Sequence, residues 1–252
     1  MLSVRAVNEI VQHVNWSDLP RAIAYAKFPV EDIPSSRWSL VNRVIMISAG
    51  TFDARGLGQW KAVQRYLIRG ARPLFIVAPQ VHHDKEQVET KEVLKGFVSP
   101  VVYAVGHTYG DPIEYKEPAK KQFNTIPLAL RYKLDLKGIN KFFPVSTYVD
   151  ESLVLADELE KQFFWTLVLK VFDDLFQDGR SRKDRLLVSE LSALALLYIC
   201  GRNVMYCGNH FSMIQAYGRD VRLSTLAAFM TVVKNVDKVL SAVAEISVGE
   251  LS

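Results

Sequence analysis

Residues 186–199, with the sequence LLVSELSALALLYI, place the strongest limit on how this chain folds. A helix drawn through them is apolar on nearly every side, and such a helix must be covered by other elements all round. We therefore predict that it lies at the centre of a mostly helical second half. By the same periodicity, helices are expected there at residues 158–176, 181–199, 210–217 and 223–246, the last with Ser224 near its start.

The first half mixes shorter helical and strand patterns, which predicts an α+β fold. Helices are expected at residues 3–14, 17–28, 38–47 and 60–69. Strands are expected at residues 73–77, 93–105 and 147–156, with a bulge or edge at Pro100 and a polar hairpin loop over residues 81–92. Ser17 or Asp18 is the expected N-cap of the second helix.

The segment 110–121 separates the two halves. Its sequence, GDPIEYKEPAKK, combines two prolines with a high density of charge, which is typical of a linker. We therefore expect two domains, at residues 1–112 and 122–252.

Length and composition favour a cytoplasmic globular protein. A chain of 252 residues with 49% hydrophobic content can bury a full core, no apolar run reaches the roughly 20 residues that span a bilayer, and no secretory signal is expected at the start. The two cysteines, Cys200 and Cys207, are too few for a disulfide framework, and their spacing with His210 is not a known zinc pattern. Buried structural thiols are expected.

The net positive charge is confined to the first half. Residues 1–110 carry 13 basic and 9 acidic side chains, residues 111–252 carry 18 of each, and seven basic residues face the single acid Asp53 between Arg37 and Arg72. Such a run is typical of a solvated surface, and equally of a groove that follows nucleic-acid phosphates when aromatic platforms stand beside it.

The residues with suitable chemistry for binding DNA are basic, aromatic or amide side chains. They are Arg37, Trp38, Asn42, Arg43, Arg55, Trp60, Lys61, Arg65, Arg69, Arg72, Phe75, Tyr103 and His107. Trp38, Trp60 and Phe75 are individually more typical of a core, whereas Tyr103 and His107 have a better case for exposure. Asn42 has three open roles: a cap, a packing residue or a phosphate ligand.

The order of several segments resembles a known family. WSLVN at residues 38–42, GTFDARGLGQW at 50–60, GARPLFIVAP at 70–79, VLKGF at 93–97 and VVYAVGHTYG at 101–110 are similar to the N-terminal domain of ArdC-type antirestriction proteins. The resemblance implies a single-stranded-DNA-binding domain of mixed helices and antiparallel sheet, in a protein of a plasmid, phage or other mobile genetic element.

The second half resembles the zincin-like metallopeptidase domain of that family. Residues 160–175 are similar to its HExxH helix and residues 185–201 to the following helix that supplies a glutamate ligand. Trp165, Thr166 and Leu169 stand at the positions of the histidine, glutamate and histidine. Tryptophan and leucine do not ligate zinc, and threonine is no general base at neutral pH, so we expect a degenerate domain without catalysis, metal or cofactor.

Glu190 is what the resemblance leaves of the metal site, as a candidate remnant ligand. A lone buried carboxylate is costly, so Glu190 needs a donor, and we name Arg202, Tyr217 or a backbone amide. His210 and Glu190 are further residues that could meet, with a hydrogen bond the expected outcome. The adjacent His82 and His83 are expected in a solvated loop.

Two functions remain open. The first is a non-catalytic protein that binds single-stranded DNA without strong sequence preference, in antirestriction, DNA protection or replication. The alternative is a protein-interaction module whose inactive peptidase-like domain binds a host or phage protein, since a net charge of +4 is modest for a nucleic-acid binder. No membrane partner is expected, no hydrolase signature is present, and the oligomeric state is open.

Overall fold

The computed structural model describes residues 3–83, 92–116, 122–145, 153–176, 182–204 and 209–248. The α-helices are α1 (Val4–His13), α2 (Leu19–Lys27), α3 (Leu40–Ser48), α4 (Leu57–Ala62), α5 (Ile126–Tyr132), α6 (Glu158–Leu175), α7 (Arg182–Ile199), α8 (His210–Asp220) and α9 (Thr225–Val248). The strands are β1 (Ala54–Arg55), β2 (Arg65–Leu67), β3 (Leu74–Phe75), β4 (Ala78–His83), β5 (Glu92–Val98), β6 (Val101–Ala104), β7 (Thr108–Gly110), β8 (Gln122–Asn124), β9 (Phe142–Pro144), β10 (Val154–Leu155) and β11 (Arg202–Asn203). The protein is therefore α+β, as expected.

The chain divides into two compact units. The first consists of Met1–Val14 with Asp32–Tyr115, and the second of Asn15–Glu31 with Lys116–Ser252. The segment that carries α2 thus packs with the second unit. The domains expected at residues 1–112 and 122–252 remain a proposal about organisation.

The first unit is built on small antiparallel sheets. Its central sheet has the order β1-β6-β3, with Ala54 opposite Ala104 and Leu74 opposite Val102. Helix α1 packs against β3 and α3. Strands β4 and β5 form a hairpin, and β2 pairs with β7 as a separate two-stranded ribbon.

Helix α3 shows why its residues form a helix at this place. The Ser39 side chain accepts a hydrogen bond from the backbone N–H of Asn42, which satisfies one of the first-turn donors. Leu40, Val44 and Ile45 recur at helical spacing and are all buried. The amphipathic pattern therefore sets which face of α3 enters the core.

Helix α7 is the centre of the second unit, which confirms the prediction from its apolar sequence. It packs against α2, α6, α8 and α9. Its core neighbours include Ile23 of α2, Phe164 of α6 and Phe229 of α9, all fully buried. Two short pairs complete the unit, β8 with β9 antiparallel and β10 with β11 parallel.

The long helices were predicted closely. Helices α6, α7, α8 and α9 start within two residues of the expected positions, although α8 continues to Asp220. Asp157 caps α6 by accepting from the N–H of Glu160 at 2.8 Å. Asp18 precedes α2 as expected but makes no side-chain cap bond, because a 3-10 turn, Trp16–Asp18, leads into the helix.

Other predictions fall partly outside the described residues. Residues 84–91 of the expected polar loop and residues 146–152 of the expected strand lie there, while β10 confirms the end of that strand. Pro100 stands between β5 and β6, where the pairing is interrupted. Helix α5 and strands β8 and β9 were not predicted.

Two expectations from composition also meet the structure. Cys200 is fully buried, as expected, and burial raises the pKa of its thiol, whereas Cys207 lies outside the described residues. In the part of the chain that the structure describes, no helix combines the length and apolar character needed to cross a membrane.

Candidate nucleic-acid interface

The helix predicted over residues 60–69 is wrong, and the correction defines the site. Helix α4 ends at Ala62, and Gln64 adopts a left-handed backbone with φ of 57° that a helix does not accommodate. The chain then enters β2, where Arg65, Tyr66 and Leu67 pair with Gly110, Tyr109 and Thr108 of β7. Side chains that were expected around a helix therefore alternate across a ribbon.

Arg65 ties the two strands together. Its Nε donates to the Thr108 hydroxyl at 2.8 Å, its Nη2 to the Thr108 carbonyl at 3.1 Å, and its Nη1 to the carbonyls of Gly110 and Asp111. Because these bonds use the whole guanidinium fork, Arg65 fixes the ribbon in place and is only half-exposed.

An exposed aromatic pair lies on the ribbon, and it was missed in the sequence. Tyr66 and Tyr109 stand directly opposite each other, with ring centroids 5.9 Å apart and planes inclined by 39°. Their exposed fractions are 44% and 58%. Tyr66 was assigned to the packed face of a helix, and Tyr109 was not singled out, because the signal that joins them is strand pairing between distant segments.

Four of the predicted cations are exposed to solvent: Arg37, Lys61, Arg69 and Arg72. The backbone of Lys61 stands at the Arg65 end of the ribbon, since its carbonyl accepts from the Gln64 N–H. Arg69 and Arg72 follow the other end. The Arg72 carbonyl lies 3.2 Å from the His107 ring, just before β7.

Three predicted contact residues are instead part of the core. Asn42 is buried and forms two bonds with the Val77 backbone, at 2.7 and 2.9 Å, so its role is packing. Trp60 is fully buried and donates to the Tyr103 carbonyl at 2.9 Å. The Arg55 guanidinium lies over the Trp60 ring at 4.8 Å from its centroid.

Arg55 belongs to a buried ionic network. Its Nε and Nη2 donate to the fully buried Asp53 carboxylate at 2.8–3.0 Å, and the Tyr115 hydroxyl donates to the same carboxylate at 3.0 Å. Burial, followed by the Asp53 charge, raises the pKa of Tyr115 well above its usual value. While this network is intact, Arg55 has no donor to spare for a phosphate.

The remaining predicted residues are half-buried. They are Trp38, Arg43, Phe75, Tyr103 and His107. Arg43 donates to the Ser36 carbonyl at 3.1 Å, and Phe75 and Tyr103 lie in the central sheet, paired with Val101 and Arg55. Among these five, His107 is the one whose backbone adjoins the ribbon.

In the second unit, the residues expected at a degenerate peptidase site border one cavity. Its volume is about 480 Å³, and Trp165 of α6 and Glu190 of α7 both line it. Thr166 donates to the Gln162 carbonyl at 2.8 Å, within its own helix. Trp165 and Leu169 are half-buried and offer no metal ligand.

Glu190 has a partner other than the named ones. The nearest oxygen of its carboxylate lies 3.6 Å from Nε2 of the buried His210, so the expected meeting of these two residues is confirmed. Arg202 instead donates to both oxygens of Glu160 at 2.9 Å and lies over the Phe143 ring.

The donor chemistry of this region does not fit a resident metal ion. The described residues contain no group of three or more His, Cys, Asp or Glu side chains that could hold one. The pair Glu190 and His210 has Trp165 beside it, where a further ligand would be needed.

Together these features define an α+β protein with an aromatic and cationic ribbon in its first unit and a helical second unit built round α7. Solved structures identify the fold. The chain is similar to the antirestriction protein ArdC from plasmid R388 in its metal-free structure, with a TM-score of 0.54 and 11% identity, over 94% of this chain and 98% of that one.

The Mn(II)-bound structure of the same plasmid protein is similar over 83% of this chain and 85% of that one, with a TM-score of 0.52 and 12% identity. No protein-family model and no curated protein sequence matches the chain. The chain therefore has the ArdC fold, which confirms the resemblance seen in its sequence.

Proposed function

We propose that the protein binds single-stranded DNA without strong sequence preference and acts in antirestriction or DNA protection for a mobile genetic element. The observation that carries this proposal is the ribbon of β2 and β7, which presents the Tyr66–Tyr109 pair between exposed cations. A cationic surface with aromatic rings is the combination that holds single strands. The ArdC fold of a plasmid antirestriction protein supports the biological setting.

The contact residues follow from exposure. Lys61, Arg69 and Arg72 bracket the ribbon and bind phosphates, with Arg37 as a further cation, and Tyr66 and Tyr109 supply the aromatic surface. Arg55, Trp60 and Asn42 hold the fold beneath it. Arg65 contributes by positioning the strands.

The second unit performs no peptidase chemistry in this proposal. Trp165, Thr166 and Leu169 correspond to HExxH positions in the resemblance, and none of them supplies an imidazole or a carboxylate. Glu190 with His210 is what remains, as an ionic or hydrogen-bonded contact rather than a metal site.

The test is fluorescence anisotropy of a labelled single-stranded oligonucleotide titrated with the full chain over a range of salt concentrations. Affinity should fall with salt at a slope of about −0.7 per phosphate neutralised. In Lys61→Ala/Arg69→Ala, that slope should become shallower by about one unit per lost contact.

The matched control is Lys170→Ala/Lys234→Ala, which removes two exposed lysines from α6 and α9 of the second unit. It should bind as the unsubstituted protein does. The proposal fails if no binding occurs at low salt, or if both double variants lose the same affinity.

A second candidate function is recognition of a protein by the cavity in the second unit. The lining favours an apolar side chain, since Trp165, Leu194 and Leu197 contribute to it. Leu194→Glu, at a half-buried position, should abolish retention of such a partner and leave DNA binding unchanged. Loss of partner retention in Lys61→Ala/Arg69→Ala instead would contradict a separate protein site.

A further inference from the structure

We propose that Tyr66 and Tyr109 form a stacking platform for unpaired bases, and that this pair gives the surface its preference for single strands over duplex DNA. This inference rests on the proposed function, and it names the two rings that discriminate between ligands that both carry phosphates.

The geometry fits stacking on the outer faces of the rings. The centroids are 5.9 Å apart, whereas a base held between two rings needs about 7 Å, twice the roughly 3.4 Å step between stacked bases. Bases therefore stack against the faces that look away from the partner ring. Each tyrosine is about half exposed, so a substantial ring area is open to a ligand.

The platform is held in place before any ligand arrives. The strands beneath it are joined by their ladder and by the Arg65 fork, which reaches Thr108 and Gly110. A tyrosine has only two side-chain torsions to fix, so ordering it against a base costs little entropy. Ile68, two residues beyond Tyr66, is 41% exposed and extends the same face of the strand.

The surrounding cations do not discriminate between the two forms of DNA. Phosphates are accessible in both single strands and duplexes, so Lys61 and Arg69 attract either one. In a duplex the bases are paired and stacked on each other, and their faces are closed to the protein. The tyrosine rings therefore stabilise only the complex with unpaired bases.

The test compares three oligonucleotides of equal length on the full chain: a single strand, its duplex and a single strand with abasic sites. Replacing one stacking ring by alanine should weaken single-strand binding by about 5- to 150-fold. Tyr66→Ala/Tyr109→Ala should therefore lose single-strand affinity, while its duplex affinity and the salt slope stay unchanged.

Two further results are expected of the same mechanism. Tyr66→Phe/Tyr109→Phe should retain single-strand binding, because the ring faces remain. The abasic strand should bind the unsubstituted protein and the alanine variant equally. Phe142→Ala, which removes an exposed ring from the second unit, is the matched control and should change nothing.

Equal losses for single strand and duplex, or no loss in the alanine variant, would overturn the inference and leave the proposed function standing. Absence of binding by the unsubstituted protein would instead end both. Should the alanine variant unfold, photocrosslinking of the unsubstituted protein to a 5-iodouracil strand decides the matter. Crosslinks at Tyr66 or Tyr109 support the platform, and crosslinks only elsewhere contradict it.

Discussion

At the scale of single residues, the buried group around Asp53 shows how a local sequence produces a fixed structure. Asp53 and Arg55 lie two residues apart, and β1 brings both into the interior, where each satisfies the other's charge. Tyr115 reaches the same carboxylate from the end of the first unit. A buried charge left without its partner is strongly destabilising, so these three residues act as one unit.

The raised pKa of Tyr115 predicts a loss of stability at alkaline pH. In the folded protein the phenol stays protonated above pH 10, whereas in the unfolded chain it ionises near pH 10. The stabilisation is therefore fully present below pH 10 and is lost as the pH rises above it. Tyr115→Phe should show a smaller alkaline loss.

The measurement is denaturant unfolding at intervals from pH 8 to pH 12. At pH 8 the phenylalanine variant should be less stable by about 1.5–3 kcal/mol, since it lacks a hydrogen bond to a charged group. Parallel curves for the two proteins over the alkaline range would refute the ionic linkage.

At the scale of elements, the sequence was informative where periodicity is long and misleading where it is short. Helices α6 and α7 each run for 18 residues, so many apolar positions agree on one period. Over residues 60–69 the few apolar positions fit a helix equally well, but Gln64 ends α4 and β7 provides a strand partner. That partner lies some forty residues away, and no local pattern reveals it.

The candidate site was predictable to the same degree. The exposed cations followed from charge, because lysine and arginine are rarely buried without a partner. Arg55 is an exception, since Asp53 is its partner, and Asn42 matches a backbone amide on β3's continuation at Val77. The tyrosine pair required knowledge of strand register, which the sequence alone does not supply.

The ribbon depends on a glycine, and this predicts the effect of one added methyl group. Gly110 has φ of 137°, and a Cβ there would lie 2.3 Å from the Gln64 carbonyl oxygen. Gly110→Ala should therefore separate β7 from β2 and destabilise the first unit by about 1–3 kcal/mol.

Thermal unfolding and single-strand binding together check this expectation. Gly58→Ala is the control, because a Cβ at that helical position meets no atom within 4 Å, and it should be neutral or slightly stabilising. A Gly110→Ala variant with unchanged melting and unchanged affinity would show that the close approach is not required.

At the scale of the whole molecule, the path of the chain differs from its division by function. The first unit contains α1, the second contains α2, and the chain then returns to the first unit at Asp32. The linker expected at residues 110–121 includes the later crossing between Tyr115 and Lys116, but not the two near the start of the chain. Cutting only at that linker would leave α2 apart from α7.

Two equivalent substitutions distinguish the units. Ile10 of α1 and Ile23 of α2 are both buried, and replacing either by alanine should cost about 2–5 kcal/mol. Ile10→Ala should increase amide hydrogen exchange in β3 and α3, whereas Ile23→Ala should increase it in α7. Exchange that rises in β3 and α3 for Ile23→Ala would contradict the assignment of α2 to the second unit.

The excursion of residues 15–31 sets an order of events during synthesis. Helix α2 leaves the ribosome early, but α7, which covers its apolar face, ends only at Ile199, about 170 residues later. At roughly 5–20 residues per second, that delay is on the order of 10–30 s. The first unit is already complete at Tyr115, so it can fold around its nascent neighbour while α2 waits uncovered, as a segment that chaperones recognise.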